Sequence, residues 1–337
     1  MKSQTLCLAI ASTLALGACG GGGGSAGSST SPTPVQTSSL TPITAANSGK
    51  AAASGYTASS LIGDSSSSVT GVLTGVSIGG TGMSAAAPVI KLVKRSFGQG
   101  GAPLLTGATV NQACAGGGTI TVDANLRNPQ TLSNGDTMSV TAVNCVEDGD
   151  RLNGTLSITI ADVSGDLINT TSGAATMDTR FTGFSITSGS ETATLNGDMK
   201  IALKVTSSTD SSVTISGKSL QATDQKAGAT VASLTLADYS LSGSTNGNTT
   251  TSSGSFGLSG NANGLGQFAY TVKSIQPFVS VGTDMPGSGS LIVNGNASSV
   301  TVTALGAGGV RLDYSAKGDG VVTQTATLSW ADFNASL

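Results

Sequence analysis

The chain has 337 residues, among them 48 glycines, and only 10% of its residues are charged. A composition rich in Thr, Ser, Val and Gly is typical of strands and turns, so it disfavours a helical protein. The formal net charge is −3 and no histidine is present. These facts disfavour nucleic acid as a partner and exclude His-dependent catalytic groups and histidine-based zinc sites.

The chain begins with a short secretory leader. One positive charge, Lys2, precedes an apolar run of 11 residues from Leu6 to Leu16, which only Ser12 and Thr13 interrupt. A membrane-spanning helix needs about 20 apolar residues, whereas this shorter length is typical of the apolar region of a signal peptide. We therefore predict a signal peptide over residues 1–18.

The leader ends in Leu16-Gly17-Ala18-Cys19. This stretch resembles the lipobox of Gram-negative lipoprotein precursors, in which the cysteine thiol is diacylated and the leader is cut before it. The resemblance implies lipidation of Cys19, and several acyl chains at about 0.8 kcal/mol per buried methylene anchor a protein stably. Gly20 stands where many inner-membrane lipoproteins carry aspartate. The resemblance therefore implies a lipid anchor in the outer membrane, on the periplasmic face or the cell surface.

The stretch after Cys19 is composed mainly of small and polar residues. From Gly20 to about Gly55 almost no bulky side chain occurs, and such a segment cannot bury enough apolar surface to offset its ordering entropy. Residues 56–83 are ambiguous, because apolar residues that fit one or two short strands are interrupted by Gly and Ser. We predict a flexible Gly/Ser/Pro-rich tether over residues 19–83 and a folded domain over 84–337.

One amphipathic helix is predicted at the start of that domain, from Ala85 to Phe97, with Ser84 as its N-cap and Gly98 as its stop. The sequence places an apolar stripe on one face and Lys91, Lys94 and Arg95 on the other. Two interpretations stay open: the apolar face packs on a sheet, or the basic face contacts anionic lipid.

Beyond Cys114 the apolar residues alternate with polar ones, which is the pattern of strands with one buried face. Because no helical pattern separates these segments, we predict an all-β fold: a strongly curved antiparallel sheet, open or nearly closed into a barrel, of about 11 to 13 strands. A transmembrane barrel is disfavoured, since only 12 aromatic residues occur. The clearest alternating sets are Ile120/Val122/Ala124, Leu156/Ile158/Ile160, Met199/Ile201/Leu203, Phe268/Tyr270/Val272 and Val310/Leu312/Tyr314.

An apolar residue followed two positions later by glycine recurs along the chain, as in Leu152/Gly154 and Leu195/Gly197. Asn-Gly usually marks a two-residue hairpin turn, but a turn at 196–197 would leave Met199 and the apolar residues after it in water. A continuous strand keeps them on one face. We therefore favour glycines within bent strands, as at barrel corners.

Cys114 and Cys145 are the remaining thiols once the leader is removed and Cys19 is acylated. In an oxidising periplasm such a pair forms a disulfide by default. A redox or metal site is disfavoured, because the CxxC spacing and histidine are lacking.

Candidate catalytic and metal residues are few. Glu147, Asp148 and Asp150 cluster around Gly149, which fits a turn first and a calcium site second. Asp136, Asp198, Asp284 and Asp319 also lie beside glycine or proline and are predicted to be turn residues. A carboxylate-dependent glycosidase stays a third, weaker hypothesis, since no acid pair can be located.

The sequence therefore favours a non-enzymatic, membrane-anchored protein without cofactor or metal. In outline it is similar to β-rich outer-membrane lipoproteins and to the half-barrel-plus-helix lipoprotein carriers, and this resemblance is architectural only. It implies a binding protein that holds an apolar or lipid ligand in the curved sheet. The alternative is a structural or surface-interaction lipoprotein whose core is filled by its own side chains.

Overall fold

A computed structural model describes residues 39–60, 107–128, 133–147, 149–166, 172–262, 265–282, 285–306 and 308–336. The predicted signal peptide, Cys19 and the predicted helix at 85–97 lie outside the described residues.

The described part of the chain is almost entirely β-sheet, as predicted. Fourteen antiparallel strands form one sheet in which every strand pairs with its neighbours in sequence, so the count exceeds the 11 to 13 expected. The first and last strands are the two edges, and the sheet is open. The strands are β1 (Ala108–Ala113), β2 (Thr119–Asn125), β3 (Thr137–Glu147), β4 (Asp150–Asp166), β5 (Ser172–Ser188), β6 (Glu191–Val205), β7 (Asp210–Lys226), β8 (Ala229–Asn246), β9 (Thr249–Ala262), β10 (Gly266–Val281), β11 (Ser288–Gly295), β12 (Ser298–Leu305), β13 (Gly309–Ser315) and β14 (Gln324–Ser329), and the helices are α1 (Ser48–Ser60) and α2 (Trp330–Asn334).

The connections alternate between two ends of the sheet, because each strand reverses direction. We call the end that carries the connections after the odd-numbered strands the disulfide end, and the other the far end. Many connections are tight: Ala227 and Gly228, between β7 and β8, both have positive φ, 50° and 80°. Positive φ at both central residues is what a type I′ hairpin turn requires.

One face of each long strand carries the core. In β6 the buried residues are Ala193, Leu195, Met199, Ile201 and Leu203, with relative exposures of 0 to 4%. Burying a large apolar side chain stabilises the fold by about 1.5 to 3 kcal/mol. The predicted alternation is therefore confirmed in this strand, and Asn196-Gly197 lies inside it rather than in a turn.

The register shifts at a similar level in six of the seven strand pairs from β3–β4 to β9–β10. The exception is β7–β8, whose shift lies at Asp224/Gln225, nearer the disulfide end. The six shifts form a transverse line, interrupted at β7–β8, that we call the bulge row. A bulge adds a residue to one strand, bends it and increases its twist. The shifts occur at Ala142/Cys145, Asn153/Thr155, Phe181/Phe184, Gly197/Lys200, Ala237/Ser240 and Lys273/Phe278.

Residues 39–60 are part of the folded body, which corrects the predicted tether in this range. Thr41 donates its N–H to the carbonyl of Ala269 (2.8 Å) and accepts the N–H of Asn296 at its own carbonyl (3.1 Å). Two residues later Ile43 is 2% exposed. The rest of the predicted tether lies outside the described residues.

Helix α1 packs on the sheet through small residues. Ala51 to Ala53 have no exposed surface, and a Cβ added to Gly55 would lie 2.6 Å from Val293 Cγ2 and 3.3 Å from Val272 Cγ2. The small side chains that suggested a tether instead allow the helix backbone to approach the sheet closely. Their low apolar content is the reason that a sequence pattern does not detect this helix.

An aromatic cluster covers the far end beside α1. The Tyr56 ring centroid lies 5.0 Å from that of Phe278, 4.8 Å from that of Trp330 and 5.7 Å from that of Phe333. Trp330 and Phe333 belong to α2. The side chain of its N-cap, Ser329, accepts the N–H of Asp332 (3.1 Å). The two helices therefore meet over the core.

Candidate functional site

The sequence predicts an apolar ligand in the curved sheet, and the helix predicted beside it, at 85–97, lies outside the described residues. The helix that the structure describes on the inner face is α1. Helix α1 contacts β9, β11, β12 and β13, and the apolar residues of the described core are at most 9% exposed. Within the described residues, α1 therefore covers the inner face of these four strands.

A depression of about 290 Å³ lies on the outer face of β1 to β4, towards the far end. Its sides are two rows of outward side chains set by the strand register. We call this depression the hydroxyl groove. One row is Thr109, Asp123, Ser139 and Ser157, and the other is Asn125, Thr137 and Thr159.

The side chains along the two rows of the hydroxyl groove are mostly neutral hydrogen-bonding groups, with one carboxylate among them. The hydroxyl of Thr109 donates to the Asp123 carboxylate, and the remaining side chains of the two rows are hydroxyls and one amide. Such groups bind polar partners through exchangeable hydrogen bonds. Sequence reasoning missed this groove, since it depends on the register of four strands.

The predicted disulfide is confirmed. Cys114 and Cys145 are joined with an S–S length of 2.01 Å, and their Cα atoms are 5.3 Å apart. Both residues are buried, at 5% and 0% exposure. Cys114 follows β1 and Cys145 lies in β3, so the bond connects the two strands that flank β2.

Glu147 lies beside the disulfide and accepts the N–H of Ala115 (3.0 Å). Its carboxylate and the two sulfur atoms lie within 4.8 Å of one another, but sulfurs bonded to each other are not thiolates and do not bind metal ions. This cluster is therefore a structural clasp.

The acidic stretch around Gly149 forms the connection between β3 and β4, as the turn interpretation predicts. Gly149 has a φ of 91°, a conformation that glycine adopts without strain. Asp150 is the first residue of β4, and Asp148 lies outside the described residues.

Two of the other acidic residues predicted in turns are confirmed there. Asp136 is 1% exposed and accepts two backbone N–H groups of its own loop, at 2.9 and 2.8 Å. Asp319 accepts the N–H of Val321 (3.0 Å). Backbone and side-chain hydrogen bonds hold the pKa of Asp319 below its ordinary value. Asp284 lies outside the described residues.

The turn prediction for Asp198 is wrong, because this residue lies in the bulge row. Its carboxylate accepts the N–H groups of Lys218 (2.9 Å) and Ser219 (3.2 Å), two residues that the shifted register leaves unpaired with β6. The Tyr239 side chain passes over Gly217 of the intervening strand β7, and its hydroxyl donates to the Asp198 carbonyl (2.6 Å). Burial raises the pKa of Tyr239, so the phenol stays a donor. Asp198 is structural.

A buried acidic residue that the sequence does not reveal lies on the inner face of β7. Asp224 is 5% exposed. Burial, and then the nearby charge of Glu191, raise the pKa of Asp224 to about 6. Lys226 pairs with Glu191 (3.1 Å) rather than with Asp224. The carboxyls of Asp224 and Glu191 are brought close together by the pairing of β6 with β7.

Comparison with known proteins gives no relative to reason from: no family model matches the chain, and neither a curated protein nor a solved structure is detectably similar. Within the described residues, no helix has the length and apolar character needed to cross a membrane.

Proposed function

We propose that the chain is an outer-membrane lipoprotein, anchored by acylated Cys19, that interacts non-enzymatically through its outer surface. Its sheet curves around α1, and its core is filled by its own side chains. The observation that carries this proposal is the packing of α1 on the apolar face, together with a cavity that opens on the hydroxyl-rich outer face instead.

The bulge row supports the curvature, because bulges at one level in successive strands bend a sheet along a line. A sheet bent in this way brings its apolar face around the helix. An apolar ligand held inside is the weaker candidate, because α1 already covers the inner face of β9 and of β11 to β13.

The partner that fits the outer surface is polar. Side chains of the hydroxyl groove offer donors and acceptors at regular spacing, about 4.8 Å between strands and about 6.7 Å along them. The proposed partner is therefore a polar chain or surface rather than an apolar molecule.

The anchor is tested in cells with globomycin, which blocks the signal peptidase of lipoproteins, and with Cys19→Ser. Both treatments should make unprocessed precursor accumulate, and mass spectrometry of the untreated protein should find acyl groups on Cys19. Normal maturation of the Cys19→Ser chain would contradict the proposal.

A further inference from the structure

The hydroxyls that face each other across the hydroxyl groove are not bonded to one another. Ser139 faces Ser157 in the register of β3 with β4, and Thr137 faces Thr159. Within the described residues, none of these four hydroxyls makes a hydrogen bond, and none of the four residues is buried. Their donors and acceptors are therefore free to bind a ligand.

The next row of side chains on the same outer face is closed by hydrogen bonds. It consists of Asn111, Thr121, Thr141 and Thr155, which lie side by side on β1 to β4. The Thr121 hydroxyl donates to Oδ1 of Asn111 (2.6 Å), and the hydroxyls of Thr141 and Thr155 bond to each other (3.2 Å). Facing hydroxyls of β8 and β9 also bond to each other, at 2.8 and 2.7 Å. The two rows of the groove differ from these rows in leaving their hydroxyls open.

The charge of the groove favours an uncharged ligand. Asp123 is the only charged side chain among the residues that line it. Oδ1 of Asp123 accepts the Thr109 hydroxyl, and Oδ2 is left to accept a ligand hydroxyl. Hydrogen bonds to a carboxylate are about twice as strong as those between neutral groups. An anionic ligand would instead meet the negative charge of Asp123 with no lining Lys or Arg to offset it.

The position of the groove on the face of the sheet disfavours an extended peptide. A sheet binds such a peptide through the unpaired backbone groups of an edge strand, whereas β2 and β3 each pair with a strand on both sides. The groove therefore offers mainly side chains, and most of these are hydroxyls. A hydroxyl donates one hydrogen bond and accepts two, which is also the capacity of a sugar hydroxyl.

We propose that the hydroxyl groove binds an uncharged glycan, with Asp123 and Asn125, one in each row, on either side of the bound sugar. This proposal rests on the proposed function and names the polar partner. The volume of about 290 Å³ is near the lower limit of clefts that hold small molecules, so it fits a short stretch of the glycan. No aromatic side chain lines the groove, so the affinity comes from hydrogen bonds rather than from stacking on the sugar ring.

The test measures migration of the full-length protein through gels that contain dextran, mannan or galactan, with polygalacturonate as the anionic counterpart. The protein is purified in a polyoxyethylene detergent, which contains no sugar. Two variants alter the groove: Asp123→Asn, and Ser139→Ala combined with Ser157→Ala. The matched control is Thr141→Ala combined with Thr155→Ala, which removes two hydroxyls from the closed row of the same two strands.

At least one neutral polysaccharide should slow the protein, and polygalacturonate should not. Both groove variants should weaken this binding by about fivefold or more, and the control should change it by less than about twofold. Binding that the groove variants leave intact, or that the control weakens equally, overturns the groove as the site. Binding to none of the neutral polysaccharides overturns the glycan. The precursor assay at Cys19 is independent of these outcomes, so the anchor of the proposed function and the glycan can fail separately.

Discussion

The glycines of the bulge row act through the space that they leave for neighbouring backbone. Gly154 and Gly197 have φ values of 94° and 125°. A Cβ on Gly154 would lie 2.1 Å from the Gly183 carbonyl oxygen, and one on Gly197 would lie 2.1 Å from that of Ser219. Strain and close approach therefore coincide at these two positions.

Gly197→Ala should lower the free energy of unfolding by about 2 kcal/mol or more, because the methyl group meets backbone that side-chain rotation cannot move. Gly117→Ala is the matched control: its φ is 107°, and its added Cβ has no atom within 4 Å. Urea unfolding measures both. Equal losses in the two variants would show that the positive φ alone matters.

Asp224 should make the stability depend on pH. Burial raises its pKa from the ordinary 3.8 to about 6, so the folded state binds the proton more tightly than the unfolded state does. The stabilisation is complete below the ordinary pKa and is lost as the pH rises through about 6. Asp224→Asn should therefore add up to about 2 kcal/mol at about pH 8 and much less at about pH 4.

Thermal unfolding at the two pH values checks this expectation. The control is Asp238→Asn, since the exposed Lys218–Asp238 pair (2.8 Å) is solvated and should contribute little at either pH. A gain from Asp224→Asn that is the same at both pH values would mean that charge burial is not its cause.

At the scale of elements, the packing of α1 includes a close approach to the sheet at Gly55. Gly55→Ala should destabilise the protein by about 1 to 3 kcal/mol, because its Cβ would lie 2.6 Å from Val293 Cγ2. Gly49→Ala lies in the same helix with no atom within 4 Å of the added Cβ, and should be neutral or stabilise by up to about 1 kcal/mol. Chemical denaturation of both variants measures the difference, and stabilisation by both would show that α1 does not pack tightly.

Strands were the predictable elements of this fold, because alternation in sets such as Leu156, Ile158 and Ile160 needs only one buried face per strand. The mid-strand position of Gly197 was predictable for the same reason. Helix α1 was not, since its closeness to the sheet depends on small residues such as Gly55 that carry no hydrophobic signal. The role of Asp198 was not predictable either, because it depends on the register of β6 with β7.

At the scale of the whole molecule, the N-terminal segment is part of the core. Ile43 is bound on both sides, through its N–H to Ser298 and through its carbonyl to the Tyr314 hydroxyl (3.1 Å). The hydroxyl groove meanwhile faces outward. The candidate site depends on the pairing of four strands, and for this reason the sequence pointed to the inner face instead.

A titration of the purified chain, expressed without residues 1–19, with a fluorescent apolar probe tests the self-filled core most directly. We expect no saturable binding and no co-purifying lipid, whereas Tyr56→Ala, which leaves a cavity beside α1, should bind the probe. Saturable binding to the unsubstituted chain that a fatty acid displaces would contradict the account and place an apolar ligand inside the sheet.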